Sequence, residues 1–210
     1  MNKNLFPIAK EGVKPIIIAF GSVLLLLILD FDILALAGSF ILLFLIFSFR
    51  NPERSLPEFS DGSVLSVSDG VVTSITELND PIYSYKVEVE SGLFDIGILR
   101  TPFNAISTNL IHINGTKVSK KSKLFLDLNE TVEVIFEDVN KNKIKLTHRV
   151  KQNFLSLYWK DIKSENLRQT TRYGMLINGV TTLYFPRNFR LNVSIGNKIK
   201  ASESLMGYFS

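Results

Sequence analysis

The chain has 210 residues and no cysteine, with only two histidines and one tryptophan. Without cysteine there are no disulfides, zinc–thiolate sites, iron–sulfur clusters or thiolate nucleophiles, which suits a protein that does not rely on an oxidising compartment. His112 and His148 are the only imidazoles, so a three-histidine metal site is excluded within one chain and no metal is expected. A strong excess of one charge is also missing. The net charge of +4 is modest and spread along the chain, which suits an anionic membrane surface at least as well as nucleic acid, and no nucleic-acid partner is expected. Most lysines read as ordinary solubilising side chains. There is no 20 to 50 residue repeat and no low-complexity tract.

What the sequence does have is a long apolar run that stops abruptly at residue 50. Between Pro15 and Phe49 the only charges are Asp30 and Asp32, whereas Lys3, Lys10 and Lys14 precede the run and Arg50 and Arg54 follow it. The two aspartates leave uncharged stretches of 15 and 17 residues, each a helix of roughly 22 to 26 Å against a hydrocarbon core of ~30 Å. Backbone groups in lipid must be satisfied within the segment, so residues 1–50 are expected to form a transmembrane or re-entrant helical hairpin. Basic flanks at both ends predict a cytoplasmic face for both, with the acidic tip pointing away. A cleaved signal peptide fits badly, because the stretch is double and lacks a small-residue cleavage site. A buried helical pair in a soluble core would show a polar face, and this stretch has none.

Residues 51–210 read differently. Short runs rich in Val, Ile, Thr and aromatics alternate with polar residues: "SVLSVSDGVVTSI", "YKVEVESG", "LIHINGTKV", "ETVEVIFEDVNKNKIKLTH", "GMLINGVTTLYF" and "LNVSIGNKIKAS". Turns are expected at Asp69-Gly70, Asn114-Gly115, Asn140-Lys141-Asn142 and Gly196-Asn197, and a loop over "SENLRQTTRYG". The fold class is thus mainly β: a helical hairpin followed by an all-β sandwich or barrel-sandwich-like domain. The ending "VSIGNKIKASESLMG" is similar to the closing strands of barrel-sandwich domains such as lipoyl carriers, although no lysine is singled out at a hairpin tip. Asn178-Gly179, between an apolar run and a β-branched run, predicts a strand, a turn and a strand.

Several motifs in order carry a more specific resemblance. "FSFRNPERSLP" after the apolar hairpin, "SVSDGVV", "LFDIGILRTP", "NET", "RYGMLINGVTTLYFP" and "VSIGNKIKAS" resemble, in this order, the motifs of the short bacterial phosphatidylserine decarboxylases. That resemblance implies a pyruvoyl enzyme made by self-cleavage at a Gly-Ser bond. The serine becomes a pyruvoyl group that serves as an electron sink for decarboxylation, and an Asp and a His assist it.

The sequence departs from the family where that chemistry resides. Gly179 matches the glycine before the cut, but Val180 stands where the resemblance calls for serine and has no hydroxyl. Gly97, in "FDIGILR", stands at the histidine position, and of the three groups only Asp69 is kept. The segment from Gly179 to Tyr184 is also one residue shorter than the family's, so no pyruvoyl or other cofactor is expected. Thr181 carries the nearest hydroxyl, and cleavage before it would leave a 2-oxobutanoyl ketone. It would need a base, and by spacing neither His112 nor His148 falls at the family histidine.

The first reading is therefore a non-catalytic, inner-membrane relative with a cytoplasmic β domain and a binding or scaffolding role. Its expected partners are membrane phospholipid and either a second copy of itself or an active paralogue. Arg50, Arg54 and Arg100 are candidates for a lipid phosphate or carboxylate. One alternative is an active phosphatidylserine decarboxylase with an atypical cleavage site. Another is a membrane-tethered barrel-sandwich adaptor.

Overall fold

Two apolar helices open the described part of the computed structural model, which covers residues 7–54, 59, 62–153, 155 and 157–210. Helix α1 spans Lys10–Ile28 and α2 spans Asp32–Ser48. The first, 19 residues with mean hydropathy 2.0, is long and apolar enough to cross a membrane; the second, 17 residues, is shorter. α1 begins five residues before the apolar run and continues through Pro15, because Lys10, Glu11 and Lys14 are compatible with helix and Glu11 complements its positive N-terminal end.

The helices are joined at Asp30, whose φ of 56° turns the chain, while the Phe31 amide donates to the Leu26 carbonyl at 2.9 Å. Close packing depends on glycine at two points. Gly12 lies directly against the Phe49 ring with no room for a Cβ, and a Cβ on Gly38 would sit 3.0 Å from Val23. At the open end the Ala9 amide donates to Phe49 O at 2.8 Å and the Asn51 amide to Pro7 O at 2.7 Å.

The chain divides into two compact units, one ending at Glu53 and the other beginning at Arg54. Ser55 to Pro57, the end of the "FSFRNPERSLP" motif, lie outside the described residues. The second unit is built on an eight-stranded antiparallel sheet. Its spatial order is β13 (Lys198–Ile199), β2 (Gly70–Glu77), β3 (Tyr85–Ser91), β11 (Gly179–Phe185), β7 (Lys143–Val150), β6 (Thr131–Glu137), β5 (Ala105–Ile113) and β9 (Asn166–Leu167).

Two three-stranded sheets accompany it. One contains β1 (Ser63–Leu65), β14 (Leu205–Phe209) and β12 (Phe189–Leu191); the other contains β4 (Ile98–Arg100), β10 (Arg172–Met175) and β8 (Tyr158–Trp159). A short helix, α3, covers Phe125–Leu128. Period-two alternation directs Val87 and Val89, Ile144 and Leu146, Val132, Val134 and Phe136, and Leu183 and Phe185 into one core. Val64, Leu99, Tyr173, Phe189 and Met206 from the two smaller sheets complete it.

The unit is thus mainly antiparallel β, as the alternation predicts, but two local expectations are revised. Strands β10 and β11 flank Asn178 without pairing with each other: β10 pairs with β4 and β8, and β11 with β3 and β7. Asn178, at φ 55°, turns the chain from one sheet into another, and its side-chain amide donates to Gln152 O at 2.8 Å. The segment expected to be a loop over 164–174 contributes β9 and the start of β10, strands too short to show an apolar period.

Candidate functional site

Strand β11 runs through the middle of the large sheet, and its N-terminal end gathers the positions singled out by the motifs. Gly179 pairs with Ser91 of β3 and with Val150 of β7, and the Ser91 hydroxyl donates to the backbone carbonyl of Asp69. Asp69, just before β2, is therefore tied to the strand opposite the Gly179–Val180 pair.

Its carboxylate is fully engaged. One oxygen accepts from Arg54 Nη2 at 2.7 Å, and the other accepts the Ala201 amide at 2.8 Å. Arg54 also reaches Glu203 at 3.2 Å, with its own side chain 7% exposed. Arg54, the buried Asp69, the partly exposed Glu203 and the Ala201 amide thus form a cross-tie between the start of the unit and the turn before β14.

Gly97 lies on the other side of the same strand end. The Leu176 amide donates to Gly97 O at 2.7 Å, and a Cβ at position 97 would sit 2.8 Å from Ile177 Cγ1 and 3.1 Å from Leu176 O. The Leu176 side chain covers Gly179 and leaves no space for a Cβ there. Leu176, Ile177 and Val180 are all buried, so apolar side chains fill the space between positions 97 and 179.

No pyruvoyl precursor fits at position 180: valine has no hydroxyl, and regular pairing with Glu90 and Arg149 holds it inside a continuous strand. Ser91 links Asp69 to Gly179, and Leu176 links Gly97 to Gly179; among the described residues the hydroxyl opposite Gly179 is that of Ser91, which is bonded to the Asp69 carbonyl, and neither histidine is bonded to any of the three positions.

A second polar group lies one residue further along, on the core face. His148 Nδ1 is 3.0 Å from the Thr181 hydroxyl, and its Nε2 is 2.7 Å from the Tyr173 hydroxyl. Thr181 and His148 are direct cross-strand partners, and burial of the whole group lowers the His148 pKa to about 3. The imidazole is neutral at neutral pH, while the same burial raises the Tyr173 phenol well above its usual value.

Spacing alone did not assign His148 to Thr181. The available signal was the alternation Ile144, Leu146, His148, Val150, which places this histidine on the core face of β7. His112, by contrast, lies near the end of β5, 3.3 Å from Glu130 and against the Trp159 ring, with centroids 3.9 Å apart and the planes tilted by 40°.

The arginines proposed for a headgroup are differently placed. Arg54 is committed to Asp69 and Glu203. Arg100 is buried, with Nη1 donating to Thr170 O at 3.4 Å, and Arg50 lies over the Phe47 ring with Nη1 donating to Phe47 O at 2.8 Å. An open cleft of about 450 Å³ lies at the β5–β9 edge, lined by Asn104, Ile106, Glu137, Asn166 and Arg168 among others; none of the motif positions lines it.

The chain is similar over nearly its whole length to phosphatidylserine decarboxylase proenzymes. It is 26% identical to that of Geotalea uraniireducens over 210 residues, covering 98% of each chain. It is 28% identical to that of Syntrophus aciditrophicus over 212 residues, covering 96% of this chain and 97% of the relative. With that of Geotalea daltonii the identity is 24% over 211 residues, and 99% of each chain is covered. The sequence model described as phosphatidylserine decarboxylase matches residues 41–207, from within α2 to the last strand. A family model that matches most of the chain, residues 41–207, makes the chain a member of the phosphatidylserine decarboxylase family.

Proposed function

We propose that this protein is an uncleaved, non-catalytic member of its family. In this reading the apolar hairpin anchors it in the inner membrane, and the β unit faces the cytoplasm. Its role is to bind membrane phospholipid or to pair with another copy or an active paralogue. The observation that carries the reading is the filling of the family site. Val180 lies in a regular strand, the space beside Gly97 is taken by Ile177, and Asp69 is held by Arg54 and the Ala201 amide. An acyl shift needs a hydroxyl and a base at one point, and neither is present at position 180.

Intact-mass spectrometry of the purified full chain, with and without borohydride or a hydrazine to trap a ketone, tests it. The expected result is one unmodified chain of 210 residues. A fragment of 31 residues from Val180 to Ser210, or one beginning with a ketone, would overturn the reading.

A second reading rests on the contact between His148 and Thr181. With His148 as base, the Thr181 hydroxyl would attack the Val180 carbonyl, breaking the amide and forming an ester while the nitrogen takes a proton. Loss of the Thr181 α-proton would expel the Val180 carboxylate and leave a dehydrobutyrine. Water would hydrolyse its imine tautomer to a 2-oxobutanoyl group and ammonia. Against this, Thr181 is wholly buried and paired on both sides. The same mass experiment separates the readings, because this route would yield a ketone at residue 181.

A further inference from the structure

We propose that the loop between β5 and β6 docks the β unit onto an anionic phospholipid surface, as a contact separate from the apolar helices. Asn129 closes this loop at its neck. Its side-chain amide donates to Val118 O at 2.8 Å and Val150 O at 2.7 Å, its Oδ1 accepts the Val118 amide at 3.0 Å, and the Thr116 amide donates to Leu128 O at 2.7 Å. Phe125 then fastens the loop to the unit: it is buried, with the Arg149 guanidinium 5.8 Å from its ring centroid.

With Phe125 directed inward, its neighbours are directed outward. Leu124, Leu126 and Leu128 are 52, 62 and 44% exposed, and Ile111 and Ile113, in the part of β5 beyond its two-residue pairing with β9, are exposed as well. Exposed leucines on a loop held rigidly from below cannot be relieved by local collapse. Three exposed leucines within five residues are a local concentration of apolar surface, unlike single scattered residues.

The charge around the patch selects the occupant. The loop holds Lys117, Lys120, Lys121 and Lys123 against Asp127 and Glu130; Lys120 is paired with Glu90 at 2.6 Å and Glu130 is buried beside His112, so the exposed Lys121 and Lys123 supply the positive charge at the surface. Apolar side chains set among lysines match the interface of an anionic bilayer, where leucines enter the acyl boundary and lysines remain among the headgroups. A helix long and apolar enough to cross a membrane belongs to the same chain, and tethering makes even a weak surface contact effective.

The absence of cysteine makes the test direct. Single variants Leu126→Cys, Val139→Cys and Ile28→Cys of the full chain carry an environment-sensitive fluorophore and are reconstituted into phosphatidylcholine vesicles with or without phosphatidylglycerol. The Leu126 label should shift to the blue and be quenched by spin-labelled lipid only with phosphatidylglycerol, and Lys121→Glu with Lys123→Glu should abolish both effects. The label at Val139, 91% exposed, should stay in water throughout.

Emission at Leu126 no different from that at Val139 in anionic vesicles would overturn the proposal, as would quenching that survives the double charge reversal. A concentration-dependent blue shift in detergent, without vesicles, would assign the patch to a second copy instead. The Ile28 label reports the anchor by itself, so failure of the membrane hairpin and failure of the loop contact are told apart.

Discussion

His148 and Thr181 face each other across β7 and β11 at 3.0 Å, fully buried, between Val89 on one side and Val132 on the other. A neutral imidazole has one donor and one acceptor, so one of the two hydroxyls bonded to it donates and the other accepts. Thr181→Val keeps the shape and removes the hydroxyl, leaving one imidazole nitrogen without its partner in the core. The expected cost is about 1–3 kcal/mol in denaturant unfolding, with the chain still in one uncleaved piece. If the variant instead eliminates a ketone that the parent protein carries, the Thr181 cleavage route is correct.

Acid should weaken the fold before the carboxylates titrate. Burial holds His148 at about 3, against 6.5 for an ordinary imidazole, so between these values the unfolded chain binds a proton that the folded protein does not. Stability is complete above about pH 6.5 and is lost as the pH falls, by about 5 kcal/mol if the whole window is traversed. Glu90 acts lower down. Burial raises its pKa, but hydrogen bonds and charge from Lys120 and Lys151 outweigh that and lower it from 4.5, so its contribution is lost only as the pH falls further. A melting temperature that declines from pH 6.5 to 5 in the parent and is flat over that range in His148→Gln is the expected outcome.

Restoring the family residues one at a time should fail. Val180→Ser supplies a hydroxyl but no base at position 97. Gly97→His meets Ile177 at 2.8 Å and the Leu176 carbonyl at 3.1 Å, so the pair Val180→Ser and Gly97→His should be destabilised and unprocessed. Adding Ile177→Ala opens the space that an imidazole needs. Only that triple variant is expected to give any slow cleavage, read by the appearance of a 31-residue fragment.

Asp69 should now matter for stability. Arg54→Met removes its buried partner and leaves the buried Asp69 carboxylate without a cation, while the partly exposed Glu203 keeps Lys200 at 3.6 Å; the expected cost is about 3–5 kcal/mol in chemical unfolding. Asp69→Asn keeps an acceptor for the Ala201 amide and should cost less. Equal costs would mean that the charge pair contributes nothing beyond the hydrogen bond.

The topology has a test on the β unit. In sealed right-side-out cells a label on Val139→Cys should be reached only after the membrane is opened, as expected for a cytoplasmic β unit. Labelling from outside would reverse the orientation.

Much of the architecture was present in the sequence because it depends on local pattern. An uncharged run broken at Asp30 and Asp32 suffices for two apolar helices, and alternation in 85–91, 131–137, 143–150 and 179–185 states which side chains face the core. The substitutions Val180 and Gly97 could likewise be seen in the chain itself. Alternation, however, says which face a residue takes and not which strand lies beside it. Register between distant strands is settled by packing the whole core at once, so only the tertiary structure separated β10 from β11 at Asn178. The same nonlocal packing brought His148 to Thr181 across 33 residues of sequence, placed Ile177 where an imidazole would stand, and bound Arg54 to Asp69.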